Sequence, residues 1–174
     1  MPPFLGLIRL FAVIAAVMIA FGSAAFAQNQ GQGAGPKVVT LGAYGEWQHQ
    51  CLEQASGQRE CFISQIAISQ QSRVKGLMTI VKSGQGFAAR FEVPIGVYLP
   101  TGLALTIDGK DYGVALFERC FPDRCIAFAD LKNETVTVLR RGKVATLIVH
   151  SGPGQRIFLP ISLEGVTAGI RALG

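Results

Sequence analysis

From Val38 onward the chain is written in short apolar or alternating runs, each broken by a turn rich in Gly, Pro or polar residues. This is the pattern of half-buried antiparallel strands. Val38 to Leu41 is β-branched and apolar, and Gly42-Ala43-Tyr44-Gly45 turns it. Trp47 to Leu52 and Glu60 to Ser69 read as hairpin partners across the polar turn Gln54 to Gln58. Gly76 to Lys82 is a further strand, stopped by Ser83-Gly84-Gln85-Gly86. Phe87 to Leu99 contains Pro94, which cannot donate to a ladder, so an edge strand or a break at a bulge is predicted. Leu103, Leu105 and Ile107 alternate with Ala104, Thr106 and Asp108. Asp108-Gly109 is a two-residue hairpin signal, and Tyr112 to Arg119 returns from it. Ile126 to Ala129, Val144 to His150 and Gln155 to Leu163 complete the strands.

Two segments leave the strand period. Asp130 can cap a short helical turn through Glu134, but the β-branched Thr135-Val136-Thr137-Val138 loses rotamer freedom in a helix. A helical turn followed by an irregular stretch to Arg140-Arg141-Gly142 is expected. Glu164 to Leu173 places Val166, Ile170 and Leu173 at helical spacing and predicts a short C-terminal helix. Many short strands without βαβ alternation give an all-β antiparallel sandwich or barrel.

The N-terminus adds a compartment. Arg9, the apolar run Leu10 to Phe21 and Ala25-Phe26-Ala27 match the three regions of a signal peptide. Cleavage after Ala27 is expected, because the apolar run is shorter than the roughly 20 residues of a membrane span. The expected organisation is therefore a signal peptide over 1–27, a flexible, low-complexity linker over 28–37 and one domain over 38–174. The formal net charge of +5 includes Arg9, so a mild basic bias remains after export.

Export changes the reading of the four cysteines. An even number in an oxidising compartment indicates disulfides. Three pairings are open; joining Cys51 to Cys61 and Cys120 to Cys125 closes the two shortest loops and suits hairpin ends. Zinc favours closely spaced cysteine pairs, and the nine-residue gap between Cys51 and Cys61 does not fit, so no metal or cofactor is expected. Redox exchangers use C-x-x-C at a helix N-terminus, whereas Cys120 and Cys125 are spaced C-x4-C between strands. The two histidines, His49 and His150, lie in no hydrolase motif, and no catalytic residue is assigned. Arg140, Arg141, Lys143 and Arg156 are expected near the last two strands, as a face for an anionic partner or membrane surface or simply as a solvated face. No nucleic-acid partner is expected, given the modest charge and the lack of interleaved aromatics.

Several short motifs occur in a telling order: Trp47-x-x-x-Cys51, Cys61, Leu99-Pro100-x-Gly102-Leu103-x-Leu105, Phe117-x-x-Cys120-x-x-x-x-Cys125-x-Ala127, and Ile161-Ser162-Leu163-x-Gly165 before a short helix. With the export signal, this chain resembles the invasion-associated locus B family of exported alphaproteobacterial proteins. The resemblance spans nearly the whole exported chain. It implies an immunoglobulin-like β-sandwich in the periplasm or envelope, a role in host-cell invasion in some members, and no catalytic residues to carry over. One position departs from the pattern: Arg124 stands where Gly is expected before the second clip cysteine, which leaves the form of that turn open.

The functional expectation is a non-catalytic exported protein that binds an envelope or host partner. Two competing readings are a periplasmic thiol–disulfide protein using Cys120 and Cys125, and a chaperone-like envelope-assembly module using a strand edge near Pro94.

Overall fold

The computed structural model describes residues 35–174. The expected signal peptide, 1–27, and residues 28–34 of the expected linker lie outside them. In chain order the elements are β1 (Lys37–Tyr44), β2 (Trp47–Glu53), β3 (Arg59–Ile68), β4 (Lys75–Ser83) and β5 (Gly86–Pro94), then a 3-10 turn (Leu99–Thr101). They continue with β6 (Leu103–Ile107), β7 (Lys110–Ala115), β8 (Phe117–Cys120), β9 (Arg124–Leu131), helix α1 (Asn133–Arg141), β10 (Val144–Gly152), β11 (Gln155–Ser162) and helix α2 (Val166–Ala172).

Tight turns make sequential strands neighbours, so β1 to β5 lie side by side and β9 and β8 extend the same seven-stranded sheet. The second sheet has four strands in the order β11-β10-β6-β7. Every pairing is antiparallel. One buried cluster joins the two sheets: Trp47, Ile63, Met78 and Phe91 from the large one meet Leu105, Leu147, Leu159 and Ile161 from the small one. The architecture is the expected all-β sandwich with a short C-terminal helix, its β1–β5 meander forming most of one layer. Trp47 is fully buried, and its Nε1 donates to the Ser162 carbonyl at 2.9 Å. That bond fastens β2 to the end of β11.

Four expectations about elements are corrected. First, β1 begins at Lys37, inside the expected linker, and runs on to Tyr44; its register shifts between Thr40 and Gly42. The extra residue is accommodated as an irregularity, and the turn falls at Gly45-Glu46. Second, β5 is no edge strand, since it pairs with both β4 and β9. Pro94 is its last residue, opposite Arg124, where a missing donor interrupts nothing. Third, Tyr112 to Arg119 is not one strand. The chain leaves the small sheet after Ala115 and enters the large one at Phe117. Fourth, Asn133–Arg141 is a complete helix. Thr135, Val136 and Leu139 bury one face of it, and this packing overrides the β-branched preference. Arg140 and Arg141 in its last turn complement the helix dipole.

The Asp108-Gly109 turn forms as expected, with both residues at positive φ (48° and 80°). The Asp108 carboxylate accepts the backbone N–H of Lys143 at 3.1 and 3.2 Å and of Val144 at 3.0 Å. The Val144 bond first, then the Lys143 bond and the Lys143 charge, hold this carboxyl below its ordinary value. A depressed carboxylate stabilises the fold above its unfolded pKa, and that contribution is lost as pH falls through the folded value. Asp108→Asn is therefore expected to lower the thermal midpoint at neutral pH, with the gap to the parent closing below about pH 4. Thermal unfolding across a pH series measures it.

Candidate functional site

The β8–β9 hairpin is closed by its own chemistry. Cys120 and Cys125 stand directly opposite in the ladder and are bonded to each other, and the Phe121 N–H donates to the Arg124 carbonyl at 2.6 Å. The guanidinium carbons of Arg119 and Arg124 lie 5.5 and 5.4 Å from the Phe121 ring centre, within cation–π reach. Arg124 thus has a part that Gly would lack. Its Nε donates to Glu92 Oε2 at 3.0 Å and its Nη1 to Asp123 at 2.6 Å, while Arg90 pairs with the other Glu92 oxygen.

Beside this ion-pair chain, a groove of about 510 Å³ opens on the outer face of the large sheet. Its parity is set by the strands: Ala67, Met78 and Phe91 point into the core, so their neighbours Ile66, Leu77 and Glu92 point out. Ile66, Leu77, Glu92 and Ile126 form one row across four strands. Val74, Val93 and Pro94 complete the apolar lining, and Arg73, Lys75, Asp123 and Arg124 stand around it. Glu92 and Asp123 are engaged with arginines, whereas Arg73 and Lys75 have no carboxylate within 4.0 Å among the described residues. Arg73 has a left-handed backbone, φ 60°, rare for a side-chain-bearing residue. Its N–H bond to the Ser69 carbonyl (3.0 Å) holds that turn. A second cavity shares Ile66 and Leu77 and continues across the sheet past Phe62 to Val38. Ile66 is 62 % exposed. The arrangement is an apolar strip with two cations whose charge is not locally balanced, suited to an apolar group that carries an anion.

Cys51 and Cys61 are opposite one another on β2 and β3 and are bonded. Arg140 and Arg141 end α1, and Lys143 follows after the capping Gly142. The Thr167 hydroxyl of α2 donates to the Arg140 carbonyl at 2.9 Å. Arg156 does not join them. It pairs with His150 near the turn end of the β10–β11 ladder, whereas Val144 pairs with Ser162 at the other end, about 20 Å away at ~3.3 Å per residue. His150 contacts Thr101 (3.1 Å), and the Ser151 hydroxyl donates to Gln155 at 3.1 Å, so these neighbours form no nucleophile–base pair. The sequence reading missed Arg73, Lys75 and Glu92. The signal that would have found them is the outward Ile66 beside the buried Ala67 in what reads as a continuous apolar run.

A family model described as "Invasion associated locus B (IalB) protein" matches residues 47–174. The crystal structure of invasion associated protein B from Bartonella henselae is similar at 26% identity and a TM-score of 0.66, covering 78% of this chain and 94% of that one. No curated protein matches in sequence.

Proposed function

We propose that this chain, which belongs to the invasion associated locus B family, is an exported envelope protein that acts by binding and not by catalysis. Its partner is an envelope or host component that presents an apolar group next to an acidic one. The observation that carries this reading is the outward groove with Arg73 and Lys75 at its rim. The Arg140, Arg141 and Lys143 cluster is a lesser candidate, because none of the three lines either groove described above. Two closed disulfides and the family's description support the exported location. A role in invasion is part of the reading through that description alone.

Charge reversal tests it. The purified chain, immobilised, is used to retain components of the envelope fraction of its own cells. Arg73→Glu with Lys75→Glu is expected to weaken retention about tenfold or more, the effect of losing roughly 1.4 kcal/mol. Arg140→Glu with Lys143→Glu is expected to leave it unchanged. The opposite outcome moves the site to the end of α1.

A further inference from the structure

The Cys51–Cys61 pair has a buried histidine beside it. His49 lies two residues before Cys51 on the same strand and therefore on the same face. It is 8 % exposed, and its Nε2 is buried without a hydrogen-bond partner. Buried polar atoms are normally paired, so an orphaned imidazole nitrogen calls for a reason. A ring nitrogen of His49 and the two sulfurs lie within 4.8 Å of one another. The three side chains are the donor types that thiophilic cations prefer, two sulfurs and an imidazole.

We propose that reduction of this disulfide opens a buried two-cysteine, one-histidine site for a thiophilic cation of the zinc(II) type, with Cys51, Cys61 and His49 as ligands. The nine residues between the cysteines, which argue against a zinc knuckle in the sequence, are no obstacle in the fold. The ladder sets Cys51 opposite Cys61, and its neighbouring pairs Gln50–Phe62 and Leu52–Glu60 hold that register independently of the sulfur bond. Val39 of β1 pairs on the other side of Cys51, so the ligand strand is interior. Cys51 is fully buried and Cys61 only partly, so a reductant approaches the pair from the Cys61 side. A dithiol reductant supplies two electrons and two protons: its two S–H groups become one S–S bond, and Cys51 and Cys61 become thiols. The cation then displaces both thiol protons as two sulfur–metal bonds form, and an unprotonated ring nitrogen of His49 donates a lone pair. A metal held in this way closes the β2–β3 hairpin as the disulfide does, so the hairpin stays clipped in both redox states.

The test is cobalt(II) titration of the purified chain, reduced with a phosphine under inert gas, and followed by absorption. One equivalent is expected to give thiolate-to-cobalt charge-transfer and tetrahedral d–d bands, reversed by zinc. The bands should vanish in Cys51→Ser, weaken at least about tenfold in affinity in His49→Ala, and persist with Cys120 and Cys125 both replaced by Ser. Circular dichroism of the reduced parent chain, which needs no substitution, reports whether the sheet survives. Absent bands overturn the proposal, as do bands that follow the Cys120 pair, bands indifferent to His49, or a reduced chain that loses its sheet with cobalt present.

Discussion

Trp47→Ala is expected to lower the unfolding free energy by about 3–5 kcal/mol, the usual cost of truncating a large buried aromatic. Trp47 is fully buried in the cluster that joins the two sheets. Its removal leaves a cavity there and strips the Ser162 carbonyl of its donor. A domain of this size has about 5–15 kcal/mol in total, so the variant keeps a fraction of the parent's stability. Trp47→Phe separates the two contributions: it retains most of the packing and loses the bond, for about 1 kcal/mol from the bond itself. Urea unfolding followed by circular dichroism gives both values. Equal losses in the two variants would mean that the indole bond, not the packing, joins the sheets.

The second large effect is expected where the β1–β2 turn meets the entry to α2. Gly165 has φ 83°, and a Cβ there would lie 2.2 Å from the Tyr44 carbonyl oxygen and 2.8 Å from the Gly45 nitrogen. Both are backbone atoms, which no rotamer change can move. Gly45 faces the same constraint in reverse, with the Glu164 carbonyl oxygen 2.5 Å from its own Cβ position. Gly165→Ala combines the left-handed penalty of about 1–2 kcal/mol with an overpacking cost of roughly 1–3 kcal/mol. Gly57 provides the comparison: its φ is 82°, but a Cβ there meets nothing within 4 Å. Gly57→Ala should carry the backbone penalty alone. Chemical denaturation of both variants checks the difference, and equal losses would show that the approach of turn to helix is not tight.

What was legible in the sequence was local. Asp108-Gly109 announces its own turn because Gly109 adopts a positive φ without cost, and Cys51 and Cys61 flank a turn that makes their strands adjacent. The C-terminal helix is readable because Val166 and Ile170 recur at one helical turn. The errors fall where a distant strand decides. Pro94 looks like an edge residue until β9 arrives from further along the chain and pairs with β5. Leu116 looks like strand interior, yet the chain changes sheets there. The β-branched run in α1 prefers strand until Val136 and Leu139 find a core to bury in. The groove was the least legible feature. Ile66 and Leu77 share a strand pair, but Glu92 and Arg124 join them only through the β4–β5–β9 register, and Arg73 comes from the β3–β4 turn and Lys75 from the first position of β4.

Site-specific photocrosslinking in intact cells, from an aryl azide or benzophenone side chain at Ile66, tests most directly whether the groove is the recognition surface. Replacement at Arg140 marks the rival face, and replacement at Phe158, 44 % exposed on the small sheet, marks a surface without a proposed role. Binding at the groove predicts a discrete adduct from Ile66 that disappears with Arg73→Glu and Lys75→Glu, and no matching adduct from the other two positions. Adducts from Arg140 alone, or the same faint ladder from all three positions, would contradict it.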